Sequence, residues 1–256
     1  MQSQSGSFYS PNCFRIVAIS LAYSEFAKRL CSPGWCVQGE ALLDGKIVGF
    51  AQLAQTAATL CEGGAVRRFV AIAGAPGSGK STTAEALCDW LNARSEGCAA
   101  LLPMDGFHYD DAVLHAMGRR PFKGAPDTFD VGGLKSVLQR LADPKEGPVA
   151  VPVFDRTLEI SRGSARIIPP EVQLVIVEGN YLLLDTAPWR MLASFFDLSV
   201  MIDVSEPVLR HRLRERWEGY GLNAVQIAHK LDGNDLPNGR LVCAQSRPAD
   251  LTLRQD

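Results

Sequence analysis

Apolar positions take on a regular rhythm near residue 47. Phe50, Leu53, Ala54, Ala57, Leu60 and Cys61 recur at the i, i+3, i+4, i+7 spacing of one helix face. Gly63-Gly64 supplies a stop, because glycine tolerates the left-handed backbone at a helix C-terminus. Two kinds of segment then alternate. Arg67–Gly74, Ala99–Met104 and Val149–Phe154 are short apolar stretches, and Val172–Val177 and Leu198–Val204 are near-continuous ones, as in parallel strands buried on both faces. Ser81–Arg94, Val131–Ala142 and Glu206–Trp217 have helical spacing, with Leu134, Leu138 and Leu141, or Leu209 and Leu213, on one side. Pro207 falls in a first helical turn, where its missing N–H does no harm. The alternation predicts an α/β fold: three layers around a doubly wound, mostly parallel sheet.

Residues 1–46 lack this rhythm. They open on Ser and Gln, and Cys31 and Cys36 flank a Pro33-Gly34 turn. They read as an N-terminal extension, disordered or not normally translated, ahead of a domain over residues 47–256. Because no methionine lies between Met1 and Met104, the second option requires a non-AUG start.

Composition narrows the function classes. A net charge of −2 and a pI near 6.1 give no electrostatic case for nucleic acid. The longest apolar stretch, Phe14–Tyr23, contains Arg15 and falls short of the roughly 18–20 residues of a membrane span. Seven scattered cysteines with no accompanying histidines read as free thiols in a reducing cytoplasm rather than as a zinc site.

The strongest chemical signal is Gly74-Ala75-Pro76-Gly77-Ser78-Gly79-Lys80-Ser81, a complete G-x-x-x-x-G-K-[ST] match. It follows an apolar strand and opens a helix, as the motif requires. Glycines let backbone N–H groups wrap a triphosphate, and the helix adds its positive dipole end. Lys80 is placed to hold the β- and γ-phosphates, Ser81 to ligate Mg²⁺ and Thr82 to touch the α-phosphate. ATP and Mg²⁺ are therefore the expected cofactors. Asp105 ends a second strand, at the edge where doubly wound sheets bind ligands, and could take the proton of an attacking hydroxyl. Glu178 ends a third apolar strand, where a Walker-B-type acid belongs, and is assigned to Mg²⁺ through water. Arg210, Arg212, Arg214 and Arg216 mark a helix that could act as a lid over the phosphoryl group.

Together these residues resemble the phosphoribulokinase/uridine kinase/bacterial pantothenate kinase group, nearest to its nucleoside/nucleotide kinase-like or fructokinase-like P-loop branch. The resemblance covers roughly residues 48–256. It rests on GAPGSGKST at 74–82, MDGFHYDD at 104–111, GAPDTFDVGGL at 124–134, VPVFDR at 151–156, VEGNYLLL at 177–184, RHRLRERW at 210–217 and NDLPN at 234–238. It implies a kinase with a small helical lid, in which Asp105 matches the catalytic base, Glu178 the acid near Mg²⁺, and Arg212 and Arg216 the lid arginines. His108, Tyr109, Lys123, Phe154 and Arg156 fall in acceptor-holding segments, and Asn234–Asn238 falls near the adenine end. Phe154 stands where several relatives carry tyrosine. Lys123 and Phe154 also have plain readings as loop cation and core, and Asp130 as the cap of the helix starting at Val131. The partner is a small-molecule hydroxyl compound, with a homodimer one option for assembly.

The rival class is a regulatory nucleotide-binding NTPase without an acceptor. A guanine-reading switch would carry Asn-Lys-x-Asp, and the nearest match, His229-Lys230-Leu231-Asp232, lacks the asparagine.

Overall fold

The computed structural model describes residues 45–62 and 66–255. The expected extension, apart from Gly45 and Lys46, and the Gly63-Gly64 stop lie outside the described residues. Fifteen named elements run in order as β1 (Lys46–Ile47), α1 (Phe50–Cys61), β2 (Arg68–Gly74), α2 (Lys80–Asn92), β3 (Ala99–Pro103), α3 (Asp111–Ala116), α4 (Val131–Ala142), β4 (Val149–Asp155), β5 (Ile160–Ile168), β6 (Leu174–Glu178), β7 (Leu198–Asp203), α5 (Glu206–Gly219), α6 (Ala224–Lys230), α7 (Leu236–Gln245) and β8 (Leu251–Arg254).

Six strands form one sheet in the order β1-β8-β7-β2-β6-β3, and every ladder in it is parallel. Alternation along the strands explains the layers. Val70, Ile72, Leu174, Ile176, Val200 and Leu253 pack in one cluster with Leu53 and Ala57 of α1, Leu87 and Leu91 of α2, and Leu209 and Leu213 of α5. The residues between them, such as Ala71, Val175 and Val177, are fully buried as well. A sheet covered on both faces has no polar positions to spare, hence the continuous apolar runs.

The chain leaves β2 for β3 on one side of the sheet and later places β7 and β8 on the other. That reversal opens a crevice at the carboxyl ends of the strands, where doubly wound folds bind ligands.

Val149–Phe154 is a strand, but it does not join the sheet. As β4 it pairs antiparallel with β5 in a separate two-stranded ribbon. The ribbon lies against a 3₁₀ turn, Met104–Phe107, that follows β3. Ser161 donates a hydrogen bond to the Gly106 carbonyl. A Cβ on Gly106 would come within 2.6 Å of the Pro152 carbonyl oxygen, so only glycine allows this approach. Asp130 caps α4 through a 2.8 Å bond from the Gly133 N–H.

The ends of β3 and β6 meet closely. A Cβ on Gly179 would sit 2.4 Å from Met104 Cβ, an atom fixed by the backbone, and 2.7 Å from its Sδ. Gly179→Ala is expected to cost about 1–3 kcal/mol through overpacking, read as a lower urea midpoint at unchanged m-value. An unchanged midpoint would mean that the two strand ends separate freely.

Candidate active site

β2 runs into the loop 75–79, and α2 begins at Lys80. Gly77 and Gly79 have φ of 79° and 88°, left-handed values that side chains resist. Above them sit Leu213 of α5, 2.9 Å from a Cβ built on Gly77, and Gln255, 2.7 Å from one on Gly79. The loop is thus held from above as well as by its own turns. Ser78 Oγ is buried with no hydrogen-bond partner.

The loop opens into a cleft of about 380 Å³ at the carboxyl ends of the strands. Pro76, Gly77, Gly79, Lys80, Ser81 and Thr82 line it, while Gly74, Ala75 and Ser78 form the loop's buried back. Ser81 Oγ donates to Glu178 Oε2 at 3.1 Å, so the hydroxyl and the carboxylate assigned to Mg²⁺ stand side by side. Among the described residues no group of three or more His, Cys, Asp or Glu could hold a metal ion. A hydroxyl plus one acid suits a cation that keeps much of its water and leans on phosphate oxygens, as Mg²⁺ does.

Lys80 is partly buried and feels the charges of both Glu178 and Asp105. Burial pushes its pKa down, and the two carboxylates push it back up. Burial raises Glu178, with Asp105 adding to the effect and Lys80 opposing it. Burial would also raise Asp105, but His108, Lys80, Arg156 and Arg216 outweigh it and hold the carboxyl below its ordinary value. His108 is itself pushed down by burial. Near neutral pH the imidazole is therefore uncharged, and Lys80 and the arginines carry the effect on Asp105.

Asp105 sits in the 3₁₀ turn after β3 and accepts from Arg156 Nη2 at 3.0 Å. His108 Nδ1 lies 2.8 Å from the Asp105 carbonyl oxygen. A carbonyl only accepts, so Nδ1 carries the proton and Nε2 is left as an acceptor. The imidazole lies between two rings, 4.0 Å from Phe129 and 4.8 Å from Phe154, centroid to centroid. Phe154 therefore walls the cleft beside His108. Lys123, with a side chain only 10 % exposed, reaches Asp111 at 2.7 Å.

One acceptor-segment residue does not fit its expected place. Tyr109 is absent from the cleft lining: its N–H bonds to the Thr128 carbonyl, and its ring lies near Asp130. The motif is contiguous in sequence, but the turn at Met104–Phe107 sends neighbouring side chains different ways. Tyr109→Phe is expected to leave KM for both substrates within about twofold, since surface changes away from a site are small. A tenfold rise in an acceptor KM would return Tyr109 to the pocket.

The lid helix splits its arginines. Arg212 donates to the Gln255 carbonyl at 2.9 Å and lines the cleft together with Arg216. Arg210 instead pairs with Asp232 at 2.8 Å, and Arg214 is exposed away from the cleft. Asp232 is thus engaged with Arg210 and does not stand ready to read a guanine base. Asn234 and Asn238 line the cleft, but Asn234 donates to the Lys123 carbonyl at 3.1 Å. That bond ties the segment to the acceptor-side loop rather than to an adenine end alone.

Arg120, Glu159 and Asn180 also line the cleft, although none was assigned a role from the sequence. Arg120 and Glu159 come from loops without periodicity. Asn180 follows Glu178 by two residues, and its Oδ1 is buried without a partner. A recess of about 220 Å³ at the opposite strand ends is structural, because Arg67 there already donates to the carbonyls of Val172, Leu141 and Pro169. No described helix is long and apolar enough to cross a membrane.

Comparison with known proteins accords with this geometry. Residues 69–227 match the model of the Phosphoribulokinase / Uridine kinase family. YggC, an uncharacterized protein of Escherichia coli K12, is 39% identical over 190 residues, covering 73% of this chain and 77% of its own. "Putative uridine kinase C227.14" of Schizosaccharomyces pombe is 30% identical over 196 residues, covering 74% and 83%. A solved structure from Silicibacter sp. TM1040, described as a "putative fructose transport system kinase", superposes with a TM-score of 0.74 at 40% identity, covering 80% of this chain and 98% of that one. The chain belongs to the phosphoribulokinase/uridine kinase family and is an ATP-dependent P-loop kinase.

Proposed function

We propose that the protein moves the γ-phosphoryl group of ATP to a hydroxyl of a small molecule. The observation that carries this reading is convergence. The phosphate loop with Ser81, backed by the buried Glu178, and the Asp105 carboxylate share one cleft with His108, Lys123 and Phe154 on its far side. A switch NTPase needs no such far side.

In this reading the acceptor hydroxyl lies against Asp105, which orients it and takes its proton. The hydroxyl oxygen bonds to the γ-phosphorus as the bond to the bridging oxygen breaks, and that electron pair leaves with ADP. Lys80, Arg212 and Arg216 offset charge on the transferring group from fixed positions, which costs no reorganisation during reaction. When bound, Mg²⁺ would be held by Ser81 and, through water, by Glu178, and it would neutralise charge on the β- and γ-phosphates. Phe154 and Phe129 fix the imidazole of His108, so its Nε2 can accept from a second hydroxyl of the acceptor.

The test is ATP consumption by the purified protein with Mg²⁺ against sugars, nucleosides, pantothenate and other small alcohols. One acceptor class should stimulate turnover well above the acceptor-free rate. Hydrolysis at one rate across the whole panel would favour a regulatory NTPase.

A further inference from the structure

The strand order sets one further residue on the line of transfer. The phosphate loop follows β2, Asp105 follows β3, and β6 lies between those two strands. A group that moves from the nucleotide to an acceptor at Asp105 therefore passes the end of β6. That end is firmly placed. Pro103 is level with Glu178 in the β3–β6 ladder. The Gly179 N–H still bonds to the Ile72 carbonyl of β2 at 3.1 Å, and Gly179 lies against Met104. Tyr181 is fully buried and donates to the Gly124 carbonyl at 2.6 Å. Asn180 is held between these two anchors, with its side chain on the cleft.

Among the described residues its amide has no partner at either end. Oδ1 is buried and accepts no hydrogen bond. Nδ2 donates to no described residue and is open to the cleft. The reverse orientation would bury two N–H donors without an acceptor, which costs more than one orphaned carbonyl oxygen. A partnerless amide in a cleft wall is a net loss to the folded protein. Such groups mark sites where stability is given up for function. The neutrality of the amide matters too. A cation close to Glu178 and Asp105 would settle on a carboxylate, as Arg156 does on Asp105 at 3.0 Å. A neutral donor stays available.

Resting on the kinase reading above, we infer that Asn180 is a catalytic residue whose Nδ2 donates to an equatorial oxygen of the γ-phosphoryl group during transfer. In-line displacement leaves the equatorial oxygens carrying the charge and open to donors. Lys80 comes to them from the loop after β2, Arg212 and Arg216 come from α5, and Asn180 comes from the end of β6. The phosphoryl group draws level with β6 as it leaves the nucleotide. The bond to Asn180 therefore strengthens in the transition state and adds little to the binding of either substrate. Asn180 moves no proton. The hydroxyl proton passes to Asp105, the new P–O bond forms, and ADP leaves with the bridging electron pair.

The experiment uses the full chain, ATP with Mg²⁺ and the acceptor that most stimulates ATP consumption. It reads the single-turnover transfer rate, ATP affinity, acceptor KM and the urea midpoint. Asn180→Leu and the smaller Asn180→Ala should each slow transfer by about 10²–10³-fold, the usual effect of losing one such donor. ATP affinity and acceptor KM should stay within about threefold, because the lost contact belongs to the transition state. The urea midpoint of Asn180→Leu should hold or rise, since the orphaned carbonyl is gone. Asn180→Asp keeps the shape but turns negative charge on the phosphoryl oxygens, and should be at least as slow as Asn180→Leu. A merely structural residue would instead show a lower midpoint in both apolar variants, with binding and transfer lost together, and that result overturns the inference. Transfer within about threefold of wild type overturns it too. So does an acceptor KM raised about tenfold at an unchanged transfer rate, which would make Asn180 an acceptor contact. Each of these leaves the kinase reading intact. If wild type passes the phosphoryl group to no acceptor, kinase reading and inference fall together.

Discussion

Asp105→Asn is expected to lower kcat by about 10²–10⁴-fold, the usual size of a general-base effect, while ATP affinity stays near normal. The amide keeps the shape of the 3₁₀ turn after β3 but cannot take a proton. It also loses the charge that pairs with Arg156. The side chain lies beyond the phosphate loop, so nucleotide contacts survive. Steady-state kinetics with saturating acceptor, together with calorimetric titration of ATP, separate the two effects. Near-normal turnover would remove Asp105 from the base role, and a matching loss of ATP affinity would make it a structural part of the nucleotide site.

Lys80→Met should behave differently. It removes the cation that opens α2 and lines the cleft within the electrostatic reach of Glu178 and Asp105. Loss of one fixed donor at developing charge typically costs 10²–10³-fold in kcat. Here ATP affinity should fall as well, because the same ammonium holds the phosphates before and during transfer. The substitution also leaves the carboxylates of Glu178 and Asp105, which act on each other, without the cation whose charge offsets both. The two variants therefore have separate signatures: turnover alone for Asp105, turnover and binding together for Lys80. A Lys80→Met protein that binds ATP normally would place the triphosphate elsewhere than against the loop 75–79.

Much of the fold is legible in the sequence because parallel strands buried on both faces carry few polar positions. Leu174–Glu178 and Leu198–Asp203 stand out as apolar runs for that reason. Val131–Ala142 is bounded in sequence by its cap, Asp130, and by the last inward leucine. The ribbon strand β5 is not legible. Its Ser161-Arg162-Gly163-Ser164-Ala165-Arg166 segment has no fully buried residue and shows no alternation. The same holds for α6 and α7, which are short and joined by a π-helical turn, Leu231–Asp235, that contains Gly233, and for the four-residue β8. Without β5 in view, β4 reads as one more strand of the parallel sheet.

The site divides along similar lines. Loop 74–82, Asp105 and Glu178 can be found because chemistry fixes them at strand ends. The acceptor side is built from loops and one ribbon, where sequence neighbours such as His108 and Tyr109 diverge. Arg120 and Asn180 reach the cleft through tertiary packing alone, so neither spacing nor residue type marks them.

The central claim is transfer to an organic acceptor, and the fate of a labelled γ-phosphoryl group tests it most directly. ATP carrying the label, Mg²⁺, the protein and the acceptor that most stimulates ATP consumption would be mixed for one turnover and the products separated. Label should appear in an organic phosphate, with one phosphoryl group added and in step with ADP. Label recovered only as inorganic phosphate, whatever the acceptor, would contradict it.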